Sequence, residues 1–280
     1  MALVSVNGRL FAPEDARISV ADHGLVVGDG VFETILLRRG RPFALRRHLE
    51  RLERSAAGLG IGPVPRGELD AAIAGVVASL DPAPAVARLR ITLTSGSGPL
   101  GSARGAGPVS VIVAAEPEDE DGPPSASRVA VVPWTRNELG ALAGLKTTSY
   151  AENARALAWA QGRGADEAIF ANTAGELCEG TGSNVFFVID GALSTPGLAS
   201  GCLAGVTREL LLFVTGAAES TLRIASFGPD RLDEAFLTST LRGVQPIAEI
   251  DGKPFDQVPG PVTAAAALAF AELVEGGTES

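Results

Sequence analysis

Residues 116–127 read EPEDEDGPPSAS: five carboxylates, two consecutive prolines and then small residues. A core cannot hold such a run, because buried carboxylates need partners and proline has no N–H to give a ladder. The stretch therefore reads as an exposed boundary, with residues 119–127 as the linker between domains at 1–118 and 128–280. Each flank is long enough for one core.

Before the boundary, strands and helices mix without regular alternation. LVSVNGRLF predicts a hairpin on an Asn-Gly turn, and VFETILLRRGRPFAL (31–45) a second hairpin turning at Arg39-Gly40. The apolar spacing predicts an amphipathic helix over 46–57, with Leu49, Leu52 and Ala56 on one face and Gly58 near its end. A second helix is expected over 68–80, and strands over 87–95 and 109–115. After the boundary, RVAVVPW reads as a strand and 151–161 as a helix, followed by short strands between Gly-rich turns. GVTRELLLFVTG and PVTAAAALAFAELVEG read as helices, and EAFLTST as a strand. The fold class is α+β.

A net charge of −10 excludes nucleic acid as the main partner, since phosphates require a concentrated basic face. No stretch approaches a membrane span, and MALVSVNGRLF lacks the order of an export leader, so a cytoplasmic protein is expected. Cys178 and Cys202 have no metal-ligand spacing. Two histidines, His23 and His48, leave little material for a zinc site or a Ser/His/Asp triad.

Two nucleotide motifs fail on inspection. GSGPLG (96–101) has the spelling of a dinucleotide fingerprint, but Pro99 and the glycines that follow cannot open the helix that would hold a pyrophosphate. GALAGLKT (140–147) approaches a P-loop, but Leu145 replaces the glycine whose missing Cβ makes room for phosphate. A nucleotide-phosphate-binding protein is thus a remote alternative.

The lysines are more informative. The chain has 21 arginines and 2 lysines, so arginine serves wherever charge alone is needed. A retained lysine points to nitrogen chemistry, because an amine can lose its proton and attack a carbonyl while a guanidinium cannot. Lys253 follows an Asp-Gly turn and reads as a surface charge. Lys146, in AGLKTTSY, does not. Downstream, GELCEGTGSNVFF puts Glu179 at a strand-to-loop turn, AGVTREL puts Gly-Val-Thr at a helix start, and FLTST ends a strand at Thr240. Free N–H groups and a threonine hydroxyl at a helix start make a phosphate seat. An amine, a carboxylate and a phosphate seat together describe a site for pyridoxal 5′-phosphate: Schiff base, ring-nitrogen partner and anchor.

HLERL (48–52), LKTTSY, ELCEGTGSNVFF, GCLAGVTR (201–208) and FLTST occur in an order and spacing that resembles the class IV, fold-type IV pyridoxal-phosphate enzymes. That group includes branched-chain aminotransferase, D-amino-acid aminotransferase and aminodeoxychorismate lyase. The resemblance spans nearly the whole chain. It implies a two-domain fold, with a small N-terminal α/β domain and a larger cofactor-binding C-terminal domain built on a pseudo-barrel. It implies Lys146 as the Schiff-base lysine, Glu179 at the pyridine nitrogen and Arg51 as a phosphate ligand. Val206, Thr207 and Thr240 complete the phosphate seat, with Ser183 and Asn184 beside the cofactor. Tyr150 resembles the tyrosine at the ring oxygen, one residue sooner after the lysine than in branched-chain enzymes. His23, Phe32 and Leu36 fall where relatives line the substrate pocket.

The substrate is less determined. Leu36 stands where branched-chain enzymes and the lyase carry an arginine, and the loop TSGSGPLGS lacks the arginine and histidine of D-amino-acid aminotransferases. Arg104, Arg136 and Arg242 are the substitutes considered for holding a carboxylate. The missing clamps favour a permissive aminotransferase, tolerant of D-amino acids or primary amines, that passes the amino group to a 2-oxo acid. Aminodeoxychorismate lyase is the alternative. A homodimer is implied by the resemblance alone.

Overall fold

The computed structural model describes residues 2–118 and 122–277. Positions 119–121 of the expected linker lie outside the described residues. Contacts divide the chain into two compact units, residues 2–118 with 145–150, and residues 122–144 with 151–277.

The first unit is built on a fully antiparallel sheet. Its strands are β1 (Val4–Val6), β2 (Arg9–Phe11), β3 (Gly30–Arg38), β4 (Arg41–Pro42), β5 (Val86–Thr94) and β6 (Ser110–Pro117), in the order β2-β1-β6-β5-β3-β4. Both expected hairpins form, with positive φ at Asn7-Gly8 and at Arg39-Gly40, the backbone that matches strand twist. Helices α1 (His23–Val26), α2 (Leu45–Leu59) and α3 (Arg66–Ala78) complete the unit. Val31, Ile35 and Leu37 of β3 face Leu49, Leu52 and Ala56 of α2 in one buried cluster that also takes in Leu69, Ile73 and Val76 of α3. The short α1 was not expected from the sequence, since four residues are too few to show a period.

Gly58 does not end α2 as its position suggested. The helix continues to Leu59 and closes on Gly60 in the left-handed conformation. Gly58 is instead a dent: a Cβ there would lie 2.7 Å from a methyl of Leu145. The missing side chain admits the segment that carries Lys146.

The second unit comprises β7 (Ser127–Arg136), α4 (Ala151–Gln161), β8 (Glu167–Asn172), β9 (Leu177–Gly180), β10 (Asn184–Ile189), β11 (Ala192–Pro196), α5 (Val206–Thr215), β12 (Ala218–Ser220), β13 (Glu234–Ser239), β14 (Gly243–Ile250), β15 (Lys253–Pro254) and α6 (Pro261–Gly276). Its sheet runs β12-β11-β10-β13-β14-β7-β8-β9, with β15 paired to β14, and curls into a half-barrel. The β14–β7 and β7–β8 pairs are parallel, as their intervening crossovers require. All six residues of β8 are buried, because both of its faces are covered. Ile169 joins Val185, Phe187, Leu237 and Ile247 on one side, and Phe170 packs with Ala156 and Ala160 of α4 on the other. Among the described residues no helix is long and apolar enough to cross a membrane.

Candidate active site

Lys146 reaches its position through backbone pairing. The Thr148 N–H donates to the Gly30 carbonyl at 2.8 Å, the Phe32 N–H donates to the Lys146 carbonyl at 3.0 Å, and Thr147 bridges Val31. The Lys146 N–H donates to Ser55 Oγ of α2 at 3.2 Å. Residues 145–150, expected in the second domain, are thus pinned to β3 and α2 of the first unit. Lys146 lies on an extended segment ahead of α4, not in a backbone nest at a helix start, so the P-loop reading has no structural counterpart. Lys253 is a surface charge paired with Asp230.

The Lys146 Nζ sits 4.4 Å from the centre of the Phe32 ring, and Tyr150 meets the same ring edge-on at 5.1 Å. Of the expected residues, Lys146, Phe32 and Tyr150 therefore come together. Arg90 of β5 joins them, its guanidinium 3.4 Å from the ring centre. Burial lowers the Arg90 pKa to about 10, against the opposing pull of Tyr150 and Glu33, so it stays cationic at neutral pH. Nothing in the sequence marks Arg90, which alternates with Arg88 along the same strand. Leu36 is buried on β3, two residues beyond Thr34 on the same side of the strand as Phe32.

Arg51 and His48 lie on α2 beside its apolar stripe, and both are buried against Glu33 of β3. Arg51 donates from Nε to Glu33 Oε1 and from Nη2 to Oε2, both at 2.7 Å. His48 Nδ1 lies 2.8 Å from Oε2. Burial pushes the Glu33 carboxyl up, but Arg51 and His48 outweigh it and bring it down to about 2. An ionised carboxylate only accepts, so Nδ1 of His48 carries the hydrogen in that contact. Burial lowers the His48 pKa, with Glu33 opposing and Arg51 and Lys146 adding to the shift, so the ring is neutral near pH 7.

In the second unit, Glu179 of β9 and Asn184 of β10 grip the same residue. The Leu203 N–H donates to Glu179 Oε2, and Asn184 Nδ2 donates to the Leu203 carbonyl, both at 2.9 Å. This sets the approach to α5, whose first residues are Val206 and Thr207. Gly205 is the N-cap, and among the described residues no side chain caps the helix. The first N–H groups of a helix have no partner within it, so a buried, uncapped start is suited to an anion. A Cβ at Gly205 would lie 2.0 Å from Asn184 Oδ1, which keeps this approach free of side chain. Uncapped N–H groups, the Thr207 hydroxyl and an oriented carboxylate fit a phosphorylated pyridine. Thr240 follows β13 directly, in the turn to β14.

Several expected residues serve the scaffold. Arg136 stacks over Phe170 at 4.3 Å, donates to Glu152 and Asn153, and brings Nε to 3.6 Å from Glu179 Oε1. It therefore flanks Glu179, the ring-nitrogen candidate. Arg242 donates to Glu167 Oε2 at 3.0 Å and to Gln245, and Ser183 donates to the same Glu167 oxygen at 3.3 Å. Glu167 also accepts from Thr181, so this buried carboxylate, missed in the sequence, ties the 181–183 loop to the 239–245 turn. Arg104 donates twice to Asp29 and once each to the Leu59 and Gly60 carbonyls, which commits four of its five N–H groups. His23 is fully buried with Nε2 2.7 Å from the Pro99 carbonyl, and so anchors the 96–101 loop. In this structure Arg104, Arg242 and His23 are engaged in these contacts. No helix opens after GSGPLG, as its glycines and proline imply.

Residues 30–250 match the model of the class IV amino-transferase family. The chain is 32% identical over 263 residues to a putative branched-chain-amino-acid aminotransferase of Methanocaldococcus jannaschii, covering 89% of this chain and 88% of that protein. It is 28% identical to an aminodeoxychorismate lyase of Bacillus subtilis, covering 98% of this chain and 95% of that protein. A crystal structure of a branched-chain aminotransferase from Thermoproteus uzoniensis with norvaline superimposes with a TM-score of 0.87 at 32% identity, over 99% of this chain and 96% of that one. The chain belongs to the class IV aminotransferase family and is a pyridoxal-phosphate-dependent transaminase.

Proposed function

We propose that the cofactor is pyridoxal 5′-phosphate carried on Lys146, and that the amino donor is a small amino acid whose carboxylate meets Arg90. The observation that carries this reading is the Phe32 ring, shared by the Lys146 amine at 4.4 Å and the Arg90 guanidinium at 3.4 Å. A base and a cation suited to a carboxylate beside one ring support an amino acid donor held with its Cα near the base.

The remaining roles are those the resemblance implies. The Val206 and Thr207 N–H groups and the Thr207 hydroxyl would hold the phosphate at the start of α5, and the resemblance gives Arg51 and Thr240 as further phosphate ligands. Glu179, oriented by the Leu203 N–H, would accept the hydrogen of the ring nitrogen. Tyr150 would donate to the ring oxygen. Ser183 and Asn184 act indirectly, through Glu167 and Leu203. The cofactor supplies a protonated pyridine ring that stabilises the electron pair left when the substrate loses its Cα proton. The Lys146 Nζ would take that proton from Cα and give it up on the cofactor side of the C–N bond, which leaves the amino group behind for a 2-oxo acid to accept in the second half of the cycle. Exposed Ile18, Val20, Leu25, Val27 and Leu100 in the first unit support a homodimer.

Borohydride reduction of the reconstituted protein, followed by peptide mapping, should label Lys146. Label elsewhere, or none, defeats the assignment. A panel of D- and L-amino acids, (R)-phenylethylamine and aminodeoxychorismate separates the substrates. Keto-acid formation from an amino acid supports transamination of that donor, whereas 4-aminobenzoate with pyruvate selects the lyase reading, which rests on the Bacillus subtilis relative.

A further inference from the structure

We infer that Glu33 is a positioning residue for the cofactor phosphate, acting through Arg51 without touching the phosphate itself. The inference rests on the reading of Arg51 as a phosphate ligand.

Alternation along β3 puts Glu33 in the same row as Val31, Ile35 and Leu37, all of them fully buried against α2. A charge in that row opposes the binary pattern of the strand. Buried ion pairs add little net stability over apolar residues of similar volume, so packing alone does not account for Glu33 and Arg51 at facing positions. Departures of this kind gather at functional sites.

The geometry states what the pair accomplishes. Glu33 grips Arg51 through Nε and Nη2 together, which fixes the plane of the guanidinium and turns the Nη1/Nη2 edge away from the carboxylate. His48 holds the Oε2 atom that receives Nη2. An arginine held along one edge is pre-organised to meet a phosphate along another, with less side-chain freedom to lose on binding. The carboxylate and imidazole are thus a buried clamp on the phosphate-facing arginine.

The test compares binding of pyridoxal 5′-phosphate with binding of pyridoxal, which lacks the phosphate, by absorbance titration of Glu33→Gln, Glu33→Asp and the double variant Glu33→Met with Arg51→Met. The double variant replaces the ion pair by apolar side chains and should fold even if Glu33→Gln does not. Glu33→Gln is expected to weaken pyridoxal 5′-phosphate roughly tenfold or more while pyridoxal affinity changes by less than about twofold, with Glu33→Asp between. Where Glu33→Gln does not fold, the same phosphate-selective loss in Glu33→Asp supports the inference. Equal weakening of both ligands, or none, in a folded Glu33 variant overturns it. If the double variant alone loses its preference for the phosphorylated ligand, the role of Arg51 stands and that of Glu33 falls. If the double variant keeps that preference, Arg51 is not the phosphate ligand and both assignments fall.

Discussion

Asn184 and Gly205 approach each other so closely that a methyl group on residue 205 would sit 2.0 Å from Asn184 Oδ1. Gly205→Ala must therefore push the amide aside and break its bond to the Leu203 carbonyl. That would loosen the loop whose N–H orients Glu179. Cofactor affinity should fall roughly tenfold, with a stability loss of about 1–3 kcal/mol from overpacking. Equilibrium dialysis and thermal melting measure the two effects, and unchanged cofactor binding would remove α5 from the phosphate seat.

Acid should destabilise the protein in two stages. His48 has a lowered pKa in the folded state, so its contribution is complete above the ordinary value near 6.5 and declines as pH falls below it. Glu33 drops from an ordinary 4.5 to about 2, so its contribution is complete above 4.5 and is lost as pH falls towards 2. The Glu33 stage is worth on the order of 3 kcal/mol. Melting temperatures recorded from pH 8 to pH 3 should be flat above 7 and fall below it, steepening under 4.5. Glu33→Gln should flatten the lower stage.

Arg90 and Arg104 make opposite predictions about substrate. Arg90→Gln should raise KM for an amino acid donor roughly tenfold while leaving a primary amine such as (R)-phenylethylamine nearly unaffected. Arg104→Gln removes the ties to Asp29, Leu59 and Gly60 and should act on both donors alike. A selective effect at Arg104 instead would return the carboxylate role to it.

Both thiols should be silent in the native enzyme. Burial raises the pKa values of Cys178 and Cys202, and Glu179 adds to the effect at each. Ellman's reagent at pH 8 should release almost no chromophore from the folded protein and two equivalents after denaturation. Rapid reaction of either thiol in the native state contradicts the buried placement.

Much of this was legible in the chain itself. Lys146 stood out because arginine had taken nearly every other basic position, and Val206-Thr207 stood out as a helix start after a glycine. α2, with its strong apolar period, formed within two residues of the expected bounds, and α4 spans the expected 151–161. Contacts between segments distant in sequence did not show. Arg104 looks like any exposed arginine until Asp29, 75 residues away, is seen beside it. Glu167 gave no local sign, because its partners come from two separate loops. Glu33 did leave a trace: one carboxylate in the row Val31, Ile35 and Leu37 breaks the strand's pattern. Gly58 misled because a glycine near a helix end usually stops it, whereas here the glycine makes room for Leu145.

The backbone ladder between residues 146–148 and the start of β3 has a consequence beyond catalysis. β4 pairs only with Leu37 and Arg38, so without that ladder Gly30–Phe32 would leave unsatisfied amides and carbonyls along an open margin. Such a margin invites another chain to add itself as a strand. The short run that presents the reactive amine also seals the sheet against self-association.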